Sequence, residues 1–229
     1  MNNPLFGITL SLVAYLLVAE VQKRTKIELL NPLLFGGILV IAFLLVFNID
    51  LADYQVGGDM IKALIGPATI SLAIPLYKNL DLIKKNVKLL IVAITTAIIS
   101  HFIILMIIIL LLNLDKDLAL SLIPKSITTP LATDVSGAIG GISEITIMVV
   151  LLTGIFGAAI SPLINKLFKI NDDTAIGLAL GTSSHAVGTA KAASTSETQG
   201  SYSSIALILT GIFTVILAPV MAYILALFI

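Results

Sequence analysis

The sequence predicts an all-α polytopic membrane protein: a helical bundle of about six to eight spans, with two interrupted or re-entrant helices in an inverted repeat. Three observations carry this. The 229 residues are 58% apolar and only 11% charged, with a mean hydropathy of +1.12. A soluble domain carries about 25% charged residues, so too few are present to clothe a water-facing surface. The apolar residues fall in unbroken runs, as in spanning helices, and do not alternate as in a barrel strand. Finally, two polar stretches broken by Gly and Pro are each followed by a clean apolar run.

A span needs about 20 apolar residues. Reading between charge clusters gives segments at 4–19, 32–48, 60–77, 87–113, 118–141, 142–164, 174–192 and 202–228. Segments 4–19, 87–113, 142–164 and 202–228 read as plain membrane helices, and 32–48 is similar, opened by Pro32. Segment 60–77 holds Pro67 and Pro75, which one regular helix cannot accommodate. Met1-Asn2-Asn3 lacks a basic start, so no cleavable signal peptide is expected. Tyr54, Tyr77 and Tyr202 lie near segment ends, where interfacial rings are expected.

An internal repeat follows. Thr153-Gly154-Ile155-Phe156 and Pro162 recur as Thr210-Gly211-Ile212-Phe213 and Pro219, and upstream Leu120, Leu122, Ser126 and Ala132 match Leu178, Leu180, Ser184 and Ala190. The repeat units are 118–164 and 175–221. If each polar segment folds back without crossing, loops 21–31, 78–88 and 165–173 share the cytoplasmic face with nine Lys and Arg, against two outside. If each crosses, the split is seven to four. The positive-inside rule favours the folded-back, inverted arrangement. Inverted repeats with interrupted helices point to a secondary transporter. The expected partition is one membrane domain, with scaffold helices at 1–113 and the repeat pair at 114–229.

The first polar segment runs from Ile123-Pro124-Lys125-Ser126 to Thr133-Asp134. Pro124 ends a helix, and Thr129-Pro130 starts one as N-cap and first helical residue. The free N–H groups of that half-helix would form an anion site in the interior. Lys125, Ser126, Thr128 and Thr129 supply a cation and three hydroxyls beside it. In the second segment Gly181 is a plausible helix end, Ser183 or Ser184 can cap the next half-helix, and His185 and Thr189 would share a face.

Each of these residues has a plainer reading. Ser, Thr and Gly also serve close helix packing in membranes. A central lysine costs about 2.5–3.5 kcal/mol on insertion scales, so Lys125 must face protein, water or ligand, unless it snorkels to the interface. His185 could be a neutral core histidine. His101 reads as a packing histidine and Lys191 as an interfacial lysine. Asp134 could favour the helix dipole, pair with Lys125 or relay protons, and Glu144 is expected at the interface.

Other chemistry is not expected. Zero formal net charge argues against nucleic-acid binding. Two His without Cys make a poor metal site. No glycine pattern suggests a nucleotide cofactor, and adjacent Ser183, Ser184 and His185 cannot form a catalytic triad, so no enzyme activity is expected.

The stretches IGPATISLAIPLY (65–77), PKSITTPLATDVSGAIGG (124–141), GLALGTSSHAVGTAKA (177–192) and GSYSSIALILTGIFTVILAP (200–219) resemble the blocks of the LrgB/CidB family of antiholin-like membrane proteins. The family is related to the C-terminal half of the plastid glycolate/glycerate translocator. The resemblance implies transport of small monocarboxylates of the pyruvate, lactate, glycolate or glycerate class. It also implies an alternative role, control of murein hydrolase activity and cell lysis. Either role implies a bacterial cell membrane, membrane lipid around the chain, and an LrgA/CidA-type partner; a homo-oligomer is compatible with both. The site residues come from the two polar segments themselves, not from the resemblance: Lys125, Ser126, Thr128, Thr129, Ser183, Ser184 and His185 are expected to bind the substrate, and His185 or Asp134 to carry a coupling proton.

Overall fold

The computed structural model describes residues 3–25, 27, 30–71 and 73–229. Lys26, counted above among the basic residues of loop 21–31, lies outside the described residues. The described residues form helices and connecting turns, as the composition predicts. They divide into two compact units, 1–71 and 72–229.

The first unit contains α1 (Pro4–Thr25), α2 (Pro32–Val46), α3 (Leu51–Ala63) and α4 (Ile65–Ser71). Pro32 sits in the first turn of α2, where it lacks no needed donor, and the Asn31 side chain accepts from Leu33 N at 2.9 Å. Helices α1 and α3 meet backbone to backbone at Gly7 and Gly57, where any side chain would collide with the facing helix. Ser11 Oγ and the Tyr54 hydroxyl, 2.8 Å apart, secure the same contact. Tyr54 therefore serves α1 packing.

The second unit contains α5 (Ala73–Lys78), α6 (Leu80–Lys85), α7 (Val87–Leu112), α8 (Lys116–Leu122), α9 (Thr129–Ile139), α10 (Ser143–Leu167), α11 (Asp173–Thr195) and α12 (Glu197–Leu225). Segment 60–77 is thus split among α3, α4 and α5, as its two prolines require. Helices α1, α7, α10 and α12 are long and apolar enough to cross a membrane, and they match the four segments read as plain spans. Helix α7 buries one stripe, Leu90, Ile94, Ile98, Leu105 and Ile109, while exposing Ile91, Val92, Ile99 and Ile103. A helix with apolar residues on its exposed face as well as its buried one suits lipid.

Both polar segments fold back on themselves. At the second, Asp173 opens α11 and Ser196 follows its end, yet Ser196 Oγ donates to Asp173 Oδ2 at 2.7 Å and Gln199 Nε2 to Oδ1 at 2.8 Å. Both arms of α11 therefore return to one side of the bundle. The turn is at His185, whose φ of 40° and ψ of −130° interrupt the helix. At the first, Ser121 Oγ in α8 accepts from Ile142 N, at the start of α10, at 2.7 Å. Gly140, at φ 90°, ends α9 and lets the chain turn into α10.

The two hairpins enter from opposite sides. α11 follows α10 after a short loop and returns along it, with Ser184 facing Gly157 and His185 facing Gly154. The first arm of α11 then runs parallel to α12, since Gly177 faces Gln199 and Gly181 faces Ser203. Helices α10 and α12 are consequently antiparallel. Asn86 and Asp172 line one cavity, so loops 78–88 and 165–173 share a side, as the charge distribution predicts.

Candidate binding site at two helix breaks

The first break spans residues 123–128. Pro124 stops α8, and 3₁₀-like bonds bridge the gap: Lys125 N to Leu122 O at 3.3 Å and Ile127 N to Pro124 O at 3.3 Å. The N-cap of α9 is Thr128, with φ −65° and ψ 145°, and Ala132 N donates to its carbonyl at 2.8 Å. This corrects the expected start by one residue: Thr129 is the first helical residue and Pro130 the second. Ahead of the first rung lie the N–H groups of Thr129 and Leu131, at the electropositive end of the helix.

Thr128 makes no capping bond. Its side chain is buried, and Oγ1 has no hydrogen-bond partner among the described residues. A buried orphan hydroxyl costs about 1–3 kcal/mol. Lys125 is half-buried, and among the described residues its ammonium donates to Ser126 Oγ alone, at 3.5 Å. Thr129, like Ser126, is half-buried.

The second break differs from expectation in three ways. Gly181 does not end a helix; it lies inside α11, where a side chain would strike the Ser203 carbonyl. Neither serine caps: Ser183 Oγ donates back to Ala179 O at 2.7 Å, and Ser184 Oγ lies 3.1 Å from Ser183 Oγ. His185 and Thr189 do not share a face, because His185 leaves helical geometry. His185 Nε2 bonds Val150 O of α10 at 2.9 Å, whereas Thr189 Oγ1 lies 2.9 Å from Ser203 Oγ of α12. Ser184 and His185 are buried, and Ser183 is exposed.

A positive φ in a residue other than glycine costs of order 1–3 kcal/mol and persists only where surroundings impose it. Here Gly154 makes room for the imidazole that this backbone presents: a Cβ there would stand 2.6 Å from His185 Cε1. The matching glycine of the other repeat, Gly211, faces Leu131 in the first turn of α9, with an added Cβ 3.0 Å from its Cδ1. So the long helix of each repeat uses its Thr-Gly-Ile-Phe glycine to admit the other repeat's hairpin. The two breaks therefore converge near the middle of α10 and α12.

Other expected residues fall elsewhere. Asp134 is exposed and lines a cavity of about 340 Å³ with Leu131, Val215 and Pro219. No ion pair joins it to Lys125 among the described residues. His101 Nε2 lies 3.2 Å from the carbonyl of Ile123, the residue just past the end of α8. Tyr202 is no interfacial ring; it is buried against the core. With Asn86, Thr96 and Thr182 it lines a cavity of about 660 Å³ that runs along α7 and α11 toward the second break. Among the described residues no cluster of three metal-ligating side chains occurs.

Sequence reading missed Thr210, which is buried and, like Thr128, has no hydrogen-bond partner for its hydroxyl among the described residues. Its signal was present, since it heads the second Thr-Gly-Ile-Phe motif. Asp173, expected from the sequence to be solvated loop charge, instead accepts from two side chains, and its carboxyl is held below the usual carboxylate range by the hydrogen bonds from Gln199 and then Ser196.

The model of the LrgB-like family matches residues 11–224. The chain is 37% identical over 219 residues to "Antiholin-like protein LrgB" of Bacillus subtilis (strain 168), covering 95% of each chain. It is 34% identical over 216 residues to "Uncharacterized protein YxaC" of the same organism, covering 94% of each. No solved structure matches. Together with the four long apolar helices, these matches make the chain a multi-pass cell-membrane protein.

Proposed function

The chain belongs to the LrgB-like family, and we propose that it transports small monocarboxylates of the pyruvate, lactate, glycolate and glycerate class, working with an LrgA/CidA-type partner. One observation carries this reading: the buried, unpartnered Thr128 hydroxyl stands at the N-terminus of α9 beside the half-buried Lys125. Helix N-terminus, hydroxyl and ammonium all suit one carboxylate. Lys125 and the α9 N-terminus hold the carboxylate; Ser126, Thr128, Thr129, Ser183 and Ser184 meet the substrate's remaining oxygen.

Of the two candidate proton carriers, His185 is favoured, because it is buried at the second break and an imidazole ordinarily titrates near physiological pH. Asp134 faces outward. The cavity along α7 and α11 is the route from the side of loops 78–88 and 165–173. Motion of the two hairpin-and-helix units against the rest of the chain gives alternating access.

A second reading is an antiholin-like regulator of murein hydrolase activity and lysis, with no transported substrate; the name of the antiholin-like relative from B. subtilis favours it. Uptake of labelled pyruvate and glycolate into liposomes holding the purified chain, with and without its partner, separates the two. Transport predicts saturable uptake with dye retained. Dye leak without saturable uptake supports a pore, and neither signal supports a regulator.

A further inference from the structure

We infer that Thr210 is a specificity-determining residue of this pocket, donating or accepting at the hydroxyl or carbonyl oxygen on the carbon next to the substrate's carboxylate. The inference rests on the carboxylate reading above and adds to it a wall from α12.

Its position follows from helix register. Residues in the first arm of α11 face residues 22 further on in α12, as Gly177 faces Gln199 and Gly181 faces Ser203. Continued to the tip, that register sets His185 level with Leu207. Thr210 lies three residues on, about 4.5 Å further along the axis. Its neighbour Gly211 faces Leu131 of α9, three residues past Thr128. Thr210 therefore stands in the interval between the second hairpin's tip and the first hairpin's α9 start.

Its chemistry follows from burial. Thr210 is 2% exposed, and its Oγ1 is without a hydrogen-bond partner among the described residues. Buried polar atoms are paired in the great majority of cases. Helical threonines commonly return their hydroxyl to the preceding turn, as Thr182 does here with Leu178 O at 2.9 Å. Thr210 Oγ1 and Thr128 Oγ1 are the two side-chain atoms left unpaired in this way among the described residues. One comes from each repeat. A small acid with a second oxygen satisfies both, its carboxylate toward Lys125 and Thr128 and its other oxygen toward Thr210. A plain carboxylate leaves Thr210 unpaired.

The test is equilibrium binding of glycolate and acetate, which differ by that hydroxyl, to the full chain in detergent. Wild type should bind glycolate more tightly than acetate. Thr210→Val should weaken glycolate about 5- to 10-fold and leave acetate within about 2-fold, while Thr210→Ser keeps the preference. Without ligand, Thr210→Val should melt no lower than wild type, because it removes an orphan hydroxyl at constant shape. A lower ligand-free melting temperature would instead assign the hydroxyl a structural role and overturn the inference. An unchanged glycolate-to-acetate ratio in Thr210→Val also overturns it and leaves the carboxylate reading standing. Wild type binding neither acid removes both.

Discussion

Asp173 and Gln199 are joined by a 2.8 Å hydrogen bond although Asp173 opens α11 and Gln199 lies beyond its far end. A continuous helix of 23 residues would separate its ends by about 35 Å. The contact is therefore the signature of a hairpin, and it fixes the topology: both arms leave from and return to one side, and α12 starts there.

That topology predicts a labelling pattern. The chain has no Cys, so single cysteines can be introduced cleanly. Cysteines replacing Phe168 and Glu197 should react with a membrane-impermeant maleimide from one face, and a cysteine replacing Lys116 from the other. Positions 116 and 168 labelling from the same face would refute the inverted arrangement.

The base of the second hairpin should respond to pH. Gln199 and Ser196 donate to the Asp173 carboxylate and hold its pKa below the usual range. The folded chain thus prefers the ionised form. Its stabilising contribution is full above the unfolded carboxyl's pKa, about 3.9, and is lost as pH falls through the lower folded value. Asp173→Asn should lower the melting temperature in detergent at pH 6, and the gap to wild type should close as the carboxyl protonates below about pH 4. A gap that stays constant down to pH 3 would show that the carboxylate charge does not hold the base together.

Gly154 and His185 should behave as one unit. Gly154→Ala sets a methyl group against the imidazole and should cost about 1–3 kcal/mol. His185→Ala removes the obstacle along with the bond to Val150 O. The double variant should lose clearly less stability than the two single losses combined. Strictly additive losses, measured by denaturation in mild detergent, would mean the two do not press on each other.

Much of this fold is legible in the sequence because a spanning helix is written in run length and composition. Helices α1, α7, α10 and α12 needed nothing more. The first break is equally plain, since Pro124 and Pro130 restrict the backbone directly. The second is not. Gly181 looks like a helix end, but its missing side chain serves contact with Ser203 of α12, a neighbour that sequence order does not reveal. The true turn falls at His185, whose φ of 40° and ψ of −130° lie outside the left-handed helical region that a histidine more readily visits, and whose imidazole is seated against Gly154 and the Val150 carbonyl. Tyr202 likewise reads as interfacial from its place near a segment end, yet the hairpin folds over it and makes it core. Thr210 is hidden for a similar reason: within an apolar run, one threonine looks like helix packing until its hydroxyl is found unpaired.

The central claim is that the two breaks form one pocket whose carboxylate contact is Lys125. It is tested most directly by the concentration dependence of glycolate exchange in liposomes, for wild type and Lys125→Met. The expected result is saturable exchange by wild type and a half-saturation concentration raised at least about 10-fold in Lys125→Met, the scale of one charge-assisted hydrogen bond lost. Exchange by Lys125→Met with an unchanged half-saturation concentration would contradict the account.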